Sequence, residues 1–175
     1  MTTSTIARRS LVAGAALALA LGLGGCSAVQ NLFGGGSSVE RDEDSGEVTE
    51  QGTGSAFDLE VGDCLNLPAA DEFSDVTLVP CTDPHDAEVM LNYDATMTEF
   101  SEDAIYAEAE QRCAAEFQSY VGSDPATSKY YFNYFTPLEA GWADGDRVVT
   151  CVAFQLDEAG QNLVQTTGSI KGAAE

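Results

Sequence analysis

Residues 75–93 read "DVTLVPCTDPHDAEVMLNY", and how this stretch divides decides the fold. "DVTLVPC" and "AEVMLNY" are short and rich in β-branched and apolar side chains. The turn-prone "TDPHD" separates them, so the pattern predicts two antiparallel strands around a corner. In the corner Cys81 precedes His85, the only histidine, by four positions, with Asp83, Asp86 and Glu88 close by. If the histidine region opened the second strand, His85 and Ala87 would face one side, Asp86 and Glu88 the other. No local His-Asp-Glu metal cluster is built that way. Asp83-Pro84 favours a turn in which a histidine donates to a nearby carbonyl, so His85 and Asp86 are expected to fix a corner rather than carry chemistry.

Downstream, "SEDAIYAEAEQRCAAEFQSYVG" opens on Ser101, has acids at 102 and 103 and closes on Gly122, which predicts a helix. Ile105, Ala109, Cys113, Phe117 and Tyr120 recur every three or four residues and so share its core-facing side. "KYYFNYF" and "RVVTCVAFQL" read as further strands, and "NLVQTTGSI" as a last one. Between the first two, "AGWADGD" places Asp144 and Asp146 around Gly145 in a tight turn. Trp142 and Asp146 belong to this structural motif, and Arg147 is expected to pair with an acid. The predicted fold is α+β: a single disulfide-stapled domain, one main helix packed on a mostly antiparallel sheet. In the strand around Cys151, Val148, Val152, Phe154 and Leu156 point away from the cysteine's face, so the sheet must be covered on both sides.

The N-terminus, "MTTSTIARRSLVAGAALALALGLGGC", combines Arg8 and Arg9, an apolar stretch and small residues ending at Cys26, the pattern of an export signal spanning residues 1–25. The uncharged run Leu11–Gly25 has 15 residues, short of the roughly 20 that a spanning helix needs. "LGGC" resembles a lipobox, which implies cleavage before Cys26 and diacylation of its thiol. Two acyl chains hold a protein stably on a bilayer. The expected location is the cell membrane, lipid-anchored at Cys26 on the extracytoplasmic face; the two arginines suit general or twin-arginine export equally. Residues 26–56 read as a flexible acidic Gly/Ser linker, about 30 Å r.m.s. in span. The domain is expected over 57–172, with 173–175 as a tail.

Cys64, Cys81, Cys113 and Cys151 remain for the exported domain, where a disulfide framework is the default. Of three possible connectivities we favour Cys64–Cys81, joining neighbouring early segments, with Cys113–Cys151, pinning the helix to a late strand. No C-x-x-C pair supports redox chemistry, and the spacing suits no zinc site. A serine hydrolase would need His85 as its base and a marked nucleophile, yet G-x-S-x-G is absent. With 29 acidic residues, a catalytic carboxylate pair cannot be read from spacing. "DEDSGEVTE" fails the EF-hand pattern, having Thr53 at its twelfth position. Without Arg8 and Arg9, those 29 acids face five basic residues, a surface that repels nucleic acid.

Taken in order, "VGDCL" (61–65), "VPCTDPHDAEV" (79–89), a helix carrying Cys113, "GWADGDRVVTCVA" (141–153) and "GSIKG" (168–172) resemble the septum formation domain family of actinobacterial envelope proteins. The resemblance implies an extracytoplasmic domain connected with cell division and supplies no catalytic residues. The expected function is that of a lipid-anchored interaction protein acting in septum formation or envelope assembly. Its partners would be the membrane, through Cys26, and envelope or division proteins; no cofactor and no enzymatic activity are expected. The alternative is a binding module for a small ligand or wall peptide, using the "KYYFNYF" aromatics and Trp142.

Overall fold

This computed structural model describes residues 39–70 and 72–174. The signal segment, Cys26 and residues 27–38 of the expected linker lie outside the described residues. Among those described, no helix is long and apolar enough to cross a membrane.

A seven-stranded sheet with every pairing antiparallel dominates the fold. Its strands are β3 (Gly52–Ser55), β4 (Cys64–Asn66), β5 (Asp75–Val79), β6 (Ala87–Asp94), β7 (Tyr130–Phe135), β8 (Val148–Leu156) and β9 (Leu163–Val164). The spatial order is β3-β5-β4-β6-β8-β7, with β9 extending from β8. A separate small ribbon pairs β1 (Glu40–Arg41) with β2 (Val48–Glu50). The helices are α1 (Glu102–Val121) and the five-residue α2 (Glu139–Ala143). The protein is α+β, mostly β, with one main helix and two disulfides, Cys64–Cys81 and Cys113–Cys151.

The two strands of the opening stretch are not partners. β4 lies between them and is antiparallel to both, so β5 and β6 run in the same direction. "TDPHD" is therefore no hairpin turn: residues 80–86 form a crossover straddling β4, and Cys64–Cys81 ties the crossover to that strand. A three-residue strand carries too little alternation to announce itself in a sequence.

α1 buries Ile105, Ala109, Cys113, Phe117 and Tyr120 as the periodicity predicts. Ser101 occupies the N-cap position without a side-chain cap bond, leaving Glu102 and Asp103 to complement the helix dipole. Gly122, at φ 86°, ends the helix in the left-handed conformation that glycine adopts without a Cβ penalty. Cys113 joins Cys151 on β8, and around this bond Phe117, Tyr120, Met90, Ala153 and Ile170 form the core beneath the helix. A register shift between Val89 and Leu91 changes which residues of β6 face the helix. Val89 packs on the far side, whereas Met90 and Leu91 pack on the helix side.

On the far side, Val152 and Phe154 are covered by Val39, Val48, Ala56 and Leu59, together with Val76 and Leu78. The folded region thus begins at least by Val39, which corrects the linker boundary at 56. Val39, Val48 and Ala56, scattered among acids and glycines, are too sparse to reveal a strand pattern, yet the apolar face of β8 requires that cover. Arg41 fastens the segment by a bidentate bond to buried Asp63, at 2.6 and 2.8 Å. Gly54 permits close packing: a Cβ there would stand 2.8 Å from Leu78 Cδ1. The domain's other expected limit also moves. The Gly172 and Ala174 N–H groups bond the Tyr120 and Val121 carbonyls, so 173–174 continue the fold by satisfying the end of α1.

Candidate functional site

Two regions concentrate the polar and apolar features from which a site can be built. The first is the crossover. His85 is fully buried; its Nδ1 lies 2.9 Å from the Asp83 carbonyl, which can only accept, so Nδ1 carries the proton. Thr166 Oγ1 stands 3.1 Å from Nε2, and the backbones of His85 and Thr166 exchange bonds in both directions. Asp86 accepts from the Leu67 N–H at 2.9 Å. Both residues thus hold the corner, His85 against the C-terminal segment and Asp86 against the end of β4.

Glu88 is the residue that the spacing did not identify. Ligand-type atoms of His85, Glu88 and Cys64 lie within 4.8 Å of one another, so Glu88 does not diverge from His85. His85 belongs to the crossover and β6 begins only at Ala87, hence strand alternation cannot be counted across the corner. Glu88 is 1% exposed, and its Oε1 accepts the Tyr120 and Ser169 hydroxyls, both at 2.6 Å. Its Oε2 accepts the Ile170 N–H. Burial, followed by the hydrogen bond to Glu88, raises the Tyr120 pKa above the ordinary phenol value. An acid in the middle of the apolar run "AEVML" is the signal that could have marked it. The cluster has limited chemistry: Cys64 is committed to a disulfide and offers no thiolate, and His85 exposes no surface to a substrate. It is a latch holding residues 166–174 onto the sheet and helix.

Trp142 is buried beside α1 rather than in a concave site. Arg147 lies 3.7 Å above its ring and donates to the Trp142 and Asp146 carbonyls, so it stacks and bonds backbone where an acid partner was expected. Asp146 Oδ1 accepts from the Val148 N–H, closing the turn at Gly145, whose φ is 101°.

The second region is a cleft of about 580 Å³ at the C-terminal end of β7, within the range of ligand sites. Asn133 to Leu138 form one wall, the first turn of α1 another, and Phe57 and Phe73 the third. Phe73 meets Phe135 edge to face at 5.1 Å, and Tyr106 approaches Tyr134 at 6.0 Å. Phe57 and Leu138, 58% and 56% exposed, leave apolar surface in water at the mouth. Glu72, Glu102 and Asp146 supply its charge, and among the described residues no basic one lines it. Tyr106 donates to Glu102 at 2.9 Å, which raises its pKa; burial raises that of Tyr134. The "KYYFNYF" stretch therefore contributes Asn133, Tyr134 and Phe135 to a concavity. The partners Phe57, Phe73, Tyr106 and Leu138 come from parts of the chain that no local pattern connects.

Residues 61–175 match the family model described as Septum formation. Over 117 residues the chain is 33% identical to the "Putative lipoprotein LppN" of Mycobacterium tuberculosis and, equally, to that of Mycobacterium bovis. The match covers 66% of this chain and 63% of each relative, less than two thirds of their length. No solved structure matches.

Proposed function

Because the chain belongs to the septum formation family, we propose that it is a lipid-anchored interaction protein of the extracytoplasmic membrane face, serving septum formation or envelope assembly. It acts by binding and not by catalysis, its partners being envelope or division proteins. The name lipoprotein carried by its relatives supports acylation of Cys26. The observation that carries the interaction reading is the aromatic cleft with Phe57 and Leu138 uncovered at its mouth. Exposed apolar surface gathered around a concavity is the ordinary mark of a docking site.

The test is a photo-crosslinking side chain placed at 138 in dividing cells, compared with a lipid-tethered unrelated domain. Discrete adducts with proteins that concentrate at the septum are expected. Uniform membrane fluorescence of the tagged chain, or adducts no more abundant than those of the tethered control, would overturn the reading.

A further inference from the structure

The cleft is continuous with an open sheet edge. β7 ends the strand order, and no described strand pairs with its outer side. The Tyr130 N–H bonds Ser128 Oγ and the Tyr134 N–H bonds Asn133 Oδ1. Since N–H and C=O of one strand residue point the same way, Tyr130, Phe132 and Tyr134 direct their backbone groups away from β8. Edges are commonly protected by charge, proline, bulges or a covering element. "YYFNYF" contains no charge, proline or glycine, and its two outward N–H caps are side chains that a strand could displace.

Charge tells what kind of strand fits. Where β7 runs into the cleft, Glu72, Glu102 and Asp146 stand among aromatic side chains, and among the described residues no basic one joins the lining. Arg41 is held by Asp63, Arg112 by Glu108, and Arg147 lies over Trp142. Lys129 and Lys171 sit over the Tyr130 and Tyr120 rings. A second copy of the chain, itself carrying net charge −22, would bring acid against acid.

We propose that β7 receives an extended segment of a partner protein by strand addition, and that this segment is basic, its Lys or Arg side chains meeting Glu72, Glu102 and Asp146 while its apolar side chains enter the cleft. Main-chain bonds to Phe132 and its outward neighbours would supply affinity, and the acid-rimmed aromatic cleft selectivity. This rests on the interaction reading above and names the chemistry of the partner.

The test uses the full chain in detergent micelles and a random dodecapeptide display library. Selected peptides should be enriched in Lys and Arg alternating with apolar residues, and should weaken at least tenfold between 50 and 500 mM NaCl. Glu72→Gln with Glu102→Gln should weaken them at least tenfold while leaving the far-ultraviolet circular dichroism unchanged. N-methylation of alternate peptide amides should abolish binding in one register and spare it in the other, which distinguishes strand pairing from simple cleft occupancy. Failure to select peptides, acidic or uncharged selections, equal binding by the double variant, or indifference to N-methyl register would each overturn the proposal. So would binding by a wall-derived tetrapeptide alone, or concentration-dependent dimerisation through β7. Septal crosslinks from position 138 would survive any of these results, so the strand proposal can fall while the interaction reading stands.

Discussion

Glu88→Ala should destabilise the domain by about 2 kcal/mol, and most of the effect should come from the C-terminal latch. The substitution removes the acceptor of three donors: the Tyr120 and Ser169 hydroxyls and the Ile170 N–H. Ser169 is exposed and turns to water, whereas Tyr120 and Ile170 are 5% and 1% exposed. Two stranded donors cost about 1–3 kcal/mol each, and the lost methylene adds about 0.8 kcal/mol. Against this stands relief of carboxylate burial, worth several kcal/mol, which leaves a net loss of about 2 kcal/mol. Glu88→Gln keeps one acceptor for the Ile170 N–H and turns its NH₂ toward the Tyr120 and Ser169 hydroxyls, which can accept, so a smaller loss of about 1 kcal/mol is expected. In the double variant with Tyr120→Phe the hydroxyl is absent, and the two losses should fall short of additivity by about 1 kcal/mol or more. Urea denaturation supplies these energies, and amide exchange at Ile170 should accelerate in Glu88→Ala. A loss below about 0.5 kcal/mol, additivity with Tyr120→Phe, or an Ile170 amide as protected as before would refute the latch.

Alkaline pH should unfold the domain through its tyrosines. Burial and Glu88 raise the Tyr120 pKa, and burial chiefly, followed by the charge of Glu108, pushes Tyr93 up to about 12. The unfolded phenols ionise near 10, so the stabilisation is fully present below pH 10 and lost as pH rises toward the folded values. The slope approaches about 1.4 kcal/mol per pH unit from Tyr120 and is smaller for half-buried Tyr93. Tyr120→Phe should flatten urea midpoints measured between pH 9.5 and 11.5, and an unchanged slope would contradict this account. Removing Cys113–Cys151, whose partners are 38 residues apart, should cost about 4 kcal/mol, and removing Cys64–Cys81, 17 apart, about 3. Non-reducing peptide mapping tests the pairing itself, and a Cys64–Cys113 peptide would disprove it. Arg41→Ala should cost about 2 kcal/mol by leaving the buried Asp63 carboxylate without its cation, with only the Glu60 N–H still donating to it, and should speed proteolysis between 39 and 55; unchanged cleavage would show that the segment is held otherwise. Cys26→Ser should abolish palmitate incorporation and shift the protein from the membrane fraction, and continued labelling would place the lipid elsewhere.

Local chemistry was legible wherever one residue's surroundings lie within a turn or two of it in the chain. The i, i+3, i+4 pattern of α1, the capping glycine at 122, the β-branched runs of β5, β6 and β8, and the turn at Gly145 all announce themselves this way. The four cysteines beyond Cys26 pointed to bridges, and the partition of Cys151 from Val152 and Phe154 demanded cover on both faces of the sheet. What supplied that cover was a segment whose composition reads as linker. Val39 and Val48 become core only because β8 presents an apolar surface more than a hundred residues away. The corner "TDPHD" likewise reads as a hairpin until β4 enters between its flanking strands. The same holds for Glu88, whose three donors arrive from α1 and the C-terminal segment, and for the cleft, which exists only where Phe57, Phe73, Tyr106 and Leu138 meet β7. Propensity and periodicity act along the chain, but burial and charge pairing act through space, so the longer elements could be read from the sequence, and the short strands β1 to β4, the short α2 and the site only from their packing.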